Sequence, residues 1–262
     1  MNGMPSQPVE EDNNMKVGII GAGNIGATIA RKLVAAGHEI KLANSKGPES
    51  LQGLARDIGA IAVSKEDAVV GVDAVILSIP FAAYQDMTSL FSKVPADVVV
   101  IDTSNYYPFR DGVIDEVVNG TPESIWSGGQ IARPVVKAWN ALLAETLVSK
   151  GEPAGAPSRL AIPVAGDDAK SKAIALSLVE ATGFDAVDVG SLVDSWRQQP
   201  GTPAYCTELK TSELKRALEA ADKSRAPKNR DALMDEFMSA TSALTHEHIV
   251  TRNRAVTAAV SL

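Results

Sequence analysis

The sequence predicts a doubly wound, mostly parallel α/β fold with a C-terminal helical extension. Apolar runs of strand length alternate with amphipathic runs of helix length from Met15 to about Gly190. From Thr207 onward the pattern is helical only. The alternation is typical of parallel strands joined by right-handed crossovers. The segment after Thr207 has no strand pattern, so it is predicted to lie outside this alternation.

Each predicted element follows from its local pattern. Seven apolar runs are predicted as strands: Lys16–Ile20, Glu39–Ala43, Ala74–Ile79, Val98–Asp102, Val135–Trp139, Leu160–Val164 and Asp185–Val189. Several lack polar alternation, as strands covered on both faces do. Three amphipathic stretches between them are predicted as helices: Ile25–Ala36, Glu49–Ile58 and Asp168–Thr182. Gly183 is placed to end the last of these.

The C-terminal segment is predicted to hold two helices, Glu208–Lys223 and Asp231–Val260, separated by the helix-breaking stretch Ala226–Asn229. The N-terminal residues are polar and acidic, without the basic and apolar regions of a secretory signal. The predicted organisation is a disordered lead-in over 1–14, a nucleotide-binding domain with the acceptor cleft over 15–206, and a helical extension over 207–262.

Composition excludes several classes of protein. The formal net charge of −7 argues against nucleic-acid or anionic-membrane binding, which relies on clustered cations. The one cysteine, Cys206, cannot form an intrachain disulfide, and three histidines leave little for a metal site. No apolar run approaches the roughly 20 residues of a membrane span. We therefore expect a cytoplasmic protein that binds no metal.

The glycine-rich turn after the first strand points to a dinucleotide. It reads Gly21, Ala22, Gly23, Asn24, Ile25, Gly26 and leads directly into a helix. In a Rossmann βαβ unit the first glycine permits the tight turn, the second admits the pyrophosphate, and the third lets helix pack on strand. Glycine-rich turns also occur for steric reasons alone. Here the flanking strand, helix and second strand favour the dinucleotide.

The end of the second strand favours NADP over NAD. An acidic residue usually stands there to bind the ribose of NAD. This sequence instead has Asn44, Ser45 and Lys46, which can hydrogen-bond and pair with a 2′-phosphate. The alternative is an ordinary solvated polar turn before Gly47 and Pro48.

These residues resemble the coenzyme F420-dependent NADP oxidoreductase family over Met15 to about Leu209. The segments that carry the resemblance each lie at or near a predicted strand end: Lys16–Gly26, Gly37–Ile40 leading to Asn44–Lys46, Leu77–Phe81, Val135–Asn140 and Pro163–Asp168. The combination is typical of the family, but it does not specify the second substrate.

The resemblance implies where the nicotinamide lies. Ser78, Ile79 and Pro80 would border its ribose, and the turn containing Ala138, Trp139 and Asn140 would face the reacting ring. Asn140 would position the reactants, at a place where the archaeal deazaflavin reductases are expected to have histidine. The acceptor therefore stays open.

The loop from Asp102 to Arg110 is a candidate wall of the acceptor site, because it leaves the carboxyl end of a strand and is both aromatic and polar. Asn105, Tyr106 and Trp139 are the predicted substrate residues, and Trp139 would offer an apolar stacking surface. The alternative is a packed surface loop. The segment 194–201 is expected to flank the same cleft.

The remaining conspicuous residues are interpreted as structural. His38 lies in a turn remote from the strand carboxyl ends, and His246 and His248 are spaced two apart, so they share no helix face. Cys206 has no basic neighbour in sequence and is expected to be buried or inert.

The leading functional hypothesis is an NADP(H)-dependent oxidoreductase that transfers hydride to a planar small molecule such as a deazaflavin or flavin. An alternative is a dehydrogenase of the pyrroline-carboxylate or imine-reductase type, with the 103–107 loop or Tyr205 as proton donor. A third is a non-enzymatic NADP-sensing protein. A homodimer is expected, because an isolated helix pair has little core of its own.

Overall fold

The computed structural model describes residues 14–258 and contains a six-stranded parallel sheet with the order β3-β2-β1-β4-β5-β6. Its strands are β1 (Lys16–Ile20), β2 (Glu39–Ala43), β3 (Ile61–Ala62), β4 (Ala74–Leu77), β5 (Val99–Asp102) and β6 (Val136–Lys137). Strand order reverses between β1 and β4, where ligands bind in doubly wound sheets. The predicted Rossmann-type fold is confirmed.

The last two predicted strands form a separate parallel pair, β7 (Ala161–Val164) and β8 (Asp185–Asp188). The pair joins the main sheet through an antiparallel bridge in which Lys137 and Ala165 exchange main-chain hydrogen bonds of 2.8 and 3.0 Å. The bridge explains why the fold is mostly, but not wholly, parallel. The short strand β3 has no counterpart in the sequence prediction.

Twelve α-helices occur within residues 14–258. They are α1 (Asn24–Ala35), α2 (Gln52–Ile58), α3 (Lys65–Ala68), α4 (Thr88–Phe91), α5 (Pro108–Asp111), α6 (Asp115–Val118), α7 (Glu123–Gln130), α8 (Ala144–Ser149), α9 (Ala169–Ala181), α10 (Thr211–Glu219), α11 (Ala226–Ser239) and α12 (His246–Thr257). Three 3₁₀ segments cover Pro48–Leu51, Phe81–Met87 and Leu192–Gln198. None of these helices is long and apolar enough to cross a membrane.

Both faces of the sheet are covered. Ala74 and Ile76 of β4 pack with α1 and α9 in one core cluster, while Val75 and Leu77 of the same strand belong to the cluster around Phe81 on the other face. Successive strand residues point to opposite faces. A strand buried on both faces must therefore be apolar at every position, as the sequence pattern of β4 indicates.

The C-terminal helices differ from their predicted bounds. The stretch predicted as a breaker, 226–229, is the first turn of α11, because Pro227 occupies a position whose amide needs no intrahelical partner. The single helix predicted over Asp231–Val260 is interrupted between Ser239 and His246, where Thr245 caps α12 by accepting from the His248 amide. Val260 lies outside the described residues.

The first C-terminal helix is also shorter than the predicted Glu208–Lys223. Glu208 has a φ of +52°, which is incompatible with helix, and α10 begins only at Thr211. The division at residue 207 stays a prediction, as does the lead-in, of which residues 1–13 lie outside the described chain.

Candidate active site

Two of the three glycines in the turn after β1 are fixed by packing. Gly21 has a φ of +109°, and a Cβ there would lie 2.0 Å from the Ser78 carbonyl oxygen. A Cβ on Gly26 would lie 1.9 Å from the Gly21 carbonyl oxygen. The turn, α1 and β4 therefore approach closely only because both positions lack a side chain.

Gly23 is different, because a Cβ there would meet no protein atom within 4 Å. Gly23 is the N-cap of α1, makes no side-chain cap, and is followed by a first turn without acidic residues. The unpaired first-turn amides and the helix dipole favour an anion at this end. The open position thus fits a pyrophosphate passing close to the backbone.

A cleft of about 800 Å³ extends from this turn to the end of β2. We call it the cofactor cleft; its lining includes Gly21, Ala22, Gly23, Asn44, Ser45, Lys46, Ser64, Lys65, Ser78, Ile79 and Pro80. The predicted 2′-phosphate residues therefore lie beside the glycine turn. The Asn44 side chain holds the turn after β2 in place at one end of this cleft. Its Oδ1 accepts from the Lys46 amide at 2.9 Å, and its Nδ2 donates to Ser50 Oγ at 3.0 Å.

Lys65 adds a second cation to the same cleft as Lys46. It begins α3, whose N-cap Ser64 accepts from the Asp67 amide. Sequence reasoning missed Lys65, because the only signal was the two-residue strand β3 before it. The carboxylate of Glu66 also lines the cleft, so the local field is mixed in sign.

A second cleft, of about 430 Å³, continues across the carboxyl ends of β4, β5 and β6. We call it the acceptor cleft; its lining includes Asn24, Ile25, Ser104, Asn105, Tyr107, Arg110, Asn140, Leu143, Tyr205 and Cys206. Four residues, Gly23, Ser78, Ile79 and Pro80, line both clefts, which are therefore continuous.

Asn140 is 2% exposed and its amide is fully engaged. Its Nδ2 donates to Asn105 Oδ1 at 3.0 Å and to the Gln198 carbonyl at 2.8 Å. Its Oδ1 accepts from Gln198 Nε2 at 2.9 Å. Asn140 thus holds Asn105 in place at the cleft, and its positioning role stays a prediction.

The expected stacking surface from Trp139 is not available. The residue borders the acceptor cleft, but it is 1% exposed and its ring nitrogen donates to Thr182 Oγ1 at 3.2 Å. A φ of +55° turns the backbone so that the indole enters the core formed with α9.

Ala138 is also wholly buried and lines neither cleft, which corrects its placement at the cofactor.

The predicted substrate residue Tyr106 points away from the cleft. It is 1% exposed, its ring centroid lies 5.5 Å from that of Phe81, and its hydroxyl donates to the Gly112 carbonyl at 2.9 Å. Its neighbour Tyr107 lines the acceptor cleft instead. Successive residues of an extended segment point in opposite directions, so only one tyrosine of the pair can reach the cleft.

Tyr107 meets Tyr205 across the acceptor cleft, with their hydroxyl oxygens 2.7 Å apart. Burial, followed by the Cys206 thiol, raises the pKa of both phenols. Both therefore stay protonated at neutral pH; one hydroxyl donates to the other, so one proton of the pair is left to donate to a ligand. Burial also raises the pKa of Cys206 to about 12, so the buried thiol stays protonated as well. The expectation that Cys206 is buried is confirmed.

A charged cluster lies buried beneath the 103–107 loop. Lys137 Nζ donates to the Ser104 carbonyl at 3.1 Å and lies 3.4 Å from Glu123 Oε2 and 4.0 Å from Asp102 Oδ2. Burial opposes ionisation of Asp102, yet Lys137 and hydrogen bonds from Ser104 and two further hydroxyl groups hold its pKa below the ordinary value. The sequence signal of this cluster was a charged residue within each of two otherwise apolar predicted strands, Asp102 and Lys137, and sequence reasoning did not use it.

Glu123 carries the opposite shift. Burial raises its pKa to about 7, and the attraction of Lys137 only partly offsets that effect. Lys137 is the cation near both buried carboxylates, Asp102 and Glu123. The charge of Asp102 is also stabilised by hydrogen bonds from the Ser124 and Ser127 hydroxyls. Glu123 is therefore the carboxylate that takes up a proton near neutral pH.

The segment 194–201 was expected to flank the acceptor cleft, and it lies behind the cleft without lining it. Gln198 is wholly buried and reaches the cleft only through Asn140. The physical reason is that the 3₁₀ segment Leu192–Gln198 turns its glutamine inward against β6 and β7.

The three histidines all have structural partners. His38 is 8% exposed, accepts from the Met15 amide at 3.1 Å, and has its pKa lowered by burial. His246 contacts Glu208 at 2.6 Å, whereas His248 lies 3.8 Å from Glu236. In the described part of the chain no three His, Cys, Asp or Glu side chains are grouped to hold a metal.

The chain is similar to several known proteins. The sequence profile of the family described as NADP oxidoreductase coenzyme F420-dependent matches residues 16–106. The Escherichia coli (strain K12) protein YjhV is 38% identical over 104 residues, which are 40% of this chain and 76% of that protein.

Solved structures share the fold. The hypothetical protein SMa0349 from Sinorhizobium meliloti superposes with a TM-score of 0.64 and 29% identity, over 76% of this chain and 96% of that one. An Arthrobacter sp. FB24 protein, provisionally named an F420-dependent NADP reductase, gives a TM-score of 0.58 and 22% identity, over 70% of this chain and 87% of that one.

The family profile, which matches residues 16–106, covers the first strand, the glycine turn and the end of β2, which border the cofactor cleft. The chain belongs to the coenzyme F420-dependent NADP oxidoreductase family, a family of oxidoreductase enzymes.

Proposed function

We propose that this chain binds NADP(H) along the two continuous clefts and transfers hydride between the nicotinamide and a planar small-molecule acceptor. The observation that carries the proposal is the continuity of the clefts through Gly23 and 78–80. A nucleotide held at the glycine turn has its other end directed along the strand carboxyl ends toward Asn105 and Asn140. Ligands of doubly wound sheets bind along this edge.

Particular residues would hold each part of the cofactor. The α1 amides after Gly23 would bind the pyrophosphate. Asn44, Ser45 and Lys46 would bind the 2′-phosphate, with Lys65 as an additional cation from the neighbouring loop. Ser78, Ile79 and Pro80 would border the nicotinamide ribose, where the two clefts meet.

The bound cofactor supplies the hydride chemistry, while the protein aligns the reactants. Asn105 lines the acceptor cleft and is held by two neighbours. Arg110 Nη2 donates to its main-chain oxygen at 2.6 Å, and Asn140 Nδ2 donates to its side-chain Oδ1 at 3.0 Å. The phenols of Tyr107 and Tyr205 stay neutral and can hydrogen-bond a heteroatom of a planar ring. Alignment of this kind supplies much of the rate in a hydride transfer between rings.

The proposal is tested by titrating the purified chain with NADPH and NADH, and by taking spectra and masses of any co-purifying ligand. We expect NADPH to bind at least about tenfold more tightly, because a 2′-phosphate gains charge-assisted hydrogen bonds. We also expect NADPH oxidation with a deazaflavin, a flavin or a related planar acceptor. Failure to bind either nucleotide, or equal affinity for both, would contradict the proposal.

A second candidate is reduction of an imine or carbonyl, which needs a proton as well as a hydride. The observation favouring it is the hydroxyl pair of Tyr107 and Tyr205 in the acceptor cleft. If this candidate holds, Tyr205→Phe lowers kcat for an imine acceptor and removes its solvent deuterium isotope effect, while NADPH affinity is retained. An unchanged isotope effect would show that Tyr205 does not deliver the proton.

A further inference from the structure

A small apolar cavity adjoins the acceptor cleft on the side of the C-terminal helices. Its volume is about 180 Å³. We call it the helix pocket; it shares Tyr107, Leu143, Tyr205 and Cys206 with the acceptor cleft. The two spaces therefore meet at the tyrosine hydroxyl pair.

Helices α11 and α12 supply the far wall of the helix pocket. Leu233, Met234 and Phe237 come from α11, and Ile249 comes from α12. The two helices are held together by Arg252, whose guanidinium donates to both carboxylate oxygens of Glu236 at 2.7 and 2.9 Å. The C-terminal extension thus completes a space that begins in the nucleotide-binding part of the chain.

Charge is largely neutralised in the helix pocket. Among residues 14–258, Arg230 is the one charged side chain that lines it. Its guanidinium pairs with Asp231 at 2.8 Å and lies 5.6 Å from the Tyr106 ring centre. The remaining lining is mostly apolar, which penalises an unpaired carboxylate or phosphate. A dry cavity of about 150 Å³ lined by apolar side chains can hold one benzene ring.

We propose that the helix pocket receives an uncharged apolar end of the hydride acceptor, of the size of one six-membered ring or a branched alkyl group. This inference rests on the proposed function, because it extends the acceptor cleft of that same site. The shared lining residues connect the pocket to the acceptor rather than to a second protein. The tyrosine hydroxyls stand at the junction, where they can contact a polar atom between the reacting ring and the apolar end.

Fluorine NMR of fluorobenzene with the full chain in the presence of NADP⁺ tests the proposal. We expect saturable binding to the wild type. Met234→Trp fills the helix pocket, and we expect it to weaken fluorobenzene binding at least about tenfold. Ala232→Trp is the control, because Ala232 lies on the same helix but is exposed and outside the pocket. We expect the control to bind like the wild type.

A second variant guards against misfolding of the first. Phe237→Ala enlarges the helix pocket, so fluoronaphthalene should bind to it more tightly than to the wild type. Circular dichroism establishes that each variant is folded. A gain in binding by one variant and a loss by the other cannot both arise from a damaged fold.

Three results would overturn the inference. The first is absent or non-saturable fluorobenzene binding, or equal loss in both tryptophan variants. The second is tighter binding of fluorobenzoate than of fluorobenzene, which would make Arg230 the recognition group. The third is dissociation of an oligomer by Met234→Trp with fluorobenzene binding intact, which would assign the pocket to a second copy. NADPH titration of the wild type separates these results from failure of the proposed function.

Discussion

Asn105 and Asn140 bind each other reciprocally at the acceptor cleft. Asn105 Nδ2 donates to the main-chain oxygen of Asn140 at 2.9 Å, and Asn140 Nδ2 donates to Asn105 Oδ1 at 3.0 Å. Gln198 completes the set behind Asn140. These hydrogen bonds join the loop after β5 to the turn after β6 at the acceptor cleft. We propose that Asn140 acts through Asn105.

Removal of this link should affect turnover more than cofactor binding. Asn140→Ala removes the side-chain donor of Asn105 Oδ1 and of the Gln198 main-chain oxygen, so we expect the free energy of unfolding to fall by about 1–3 kcal/mol. Turnover with the true acceptor should drop, while NADPH affinity stays nearly unchanged. Denaturant unfolding, NADPH titration and steady-state kinetics measure the three quantities. Unchanged turnover in the folded variant would contradict the positioning role.

The two lysines of the cofactor cleft should determine nucleotide preference. Lys46→Asp and Lys65→Asp each place a negative charge where the 2′-phosphate is proposed to bind, so NADPH affinity should fall at least about tenfold. NADH affinity should change little, because NADH lacks that phosphate. Lys215→Asp, on the exposed face of α10, is the control for net charge. Equal losses for both nucleotides would show that the turn is only a solvated loop.

Alanine substitutions at Gly26 and Gly23 of the glycine-rich turn should affect different properties, stability in the first and NADPH affinity in the second. Gly26→Ala forces a methyl group against the Gly21 carbonyl, and we expect a loss of about 1–3 kcal/mol in stability. Gly23→Ala has free space within the protein, so the fold should persist while NADPH affinity falls. Thermal unfolding and NADPH titration distinguish the two. Wild-type NADPH affinity in Gly23→Ala would argue against a pyrophosphate at this position.

Glu123 should make stability depend on pH. Its pKa is raised from 4.5 to about 7 in the folded chain, so between these values the native state holds a proton that the unfolded state lacks. This contribution to stability is present at low pH and is lost as pH rises through about 7. Glu123→Gln should therefore gain stability relative to the wild type between pH 5 and pH 8, on the order of 2–3 kcal/mol. Denaturant unfolding at both pH values measures the difference; parallel pH profiles would contradict the assignment.

We also predict that the chain forms a homodimer, with the segment after Thr207 at the interface. Dimers are the commonest soluble assembly, and the helix α11 presents Met238 with 65% exposure. Light scattering at micromolar concentration measures the mass directly. A monomeric mass would refute the prediction, and a lowered mass in Met238→Glu would locate the interface.

The sequence by itself determined five of the six strands of the main sheet, the glycine turn and the polar end of β2. These features depend on local spacing: Gly21 and Gly26 must stand at fixed offsets after an apolar strand, and Asn44–Lys46 must follow the next strand. Each strand of the main sheet is parallel to its neighbours, so all such ends meet at one edge. The glycine turn, 44–46 and 78–80 could therefore be assigned to the cofactor before the fold was known, whereas Ser64, Lys65 and Glu66 could not.

The tertiary structure decided which side chains of the acceptor site face the cleft. Tyr107 rather than Tyr106 reaches it, the Trp139 indole enters the core, and Tyr205 arrives from a loop 98 residues from its hydroxyl partner. The helix pocket likewise needs α11 and α12 to dock on that loop. In loops, side-chain direction is set by packing against elements distant in sequence, and no local periodicity carries that information.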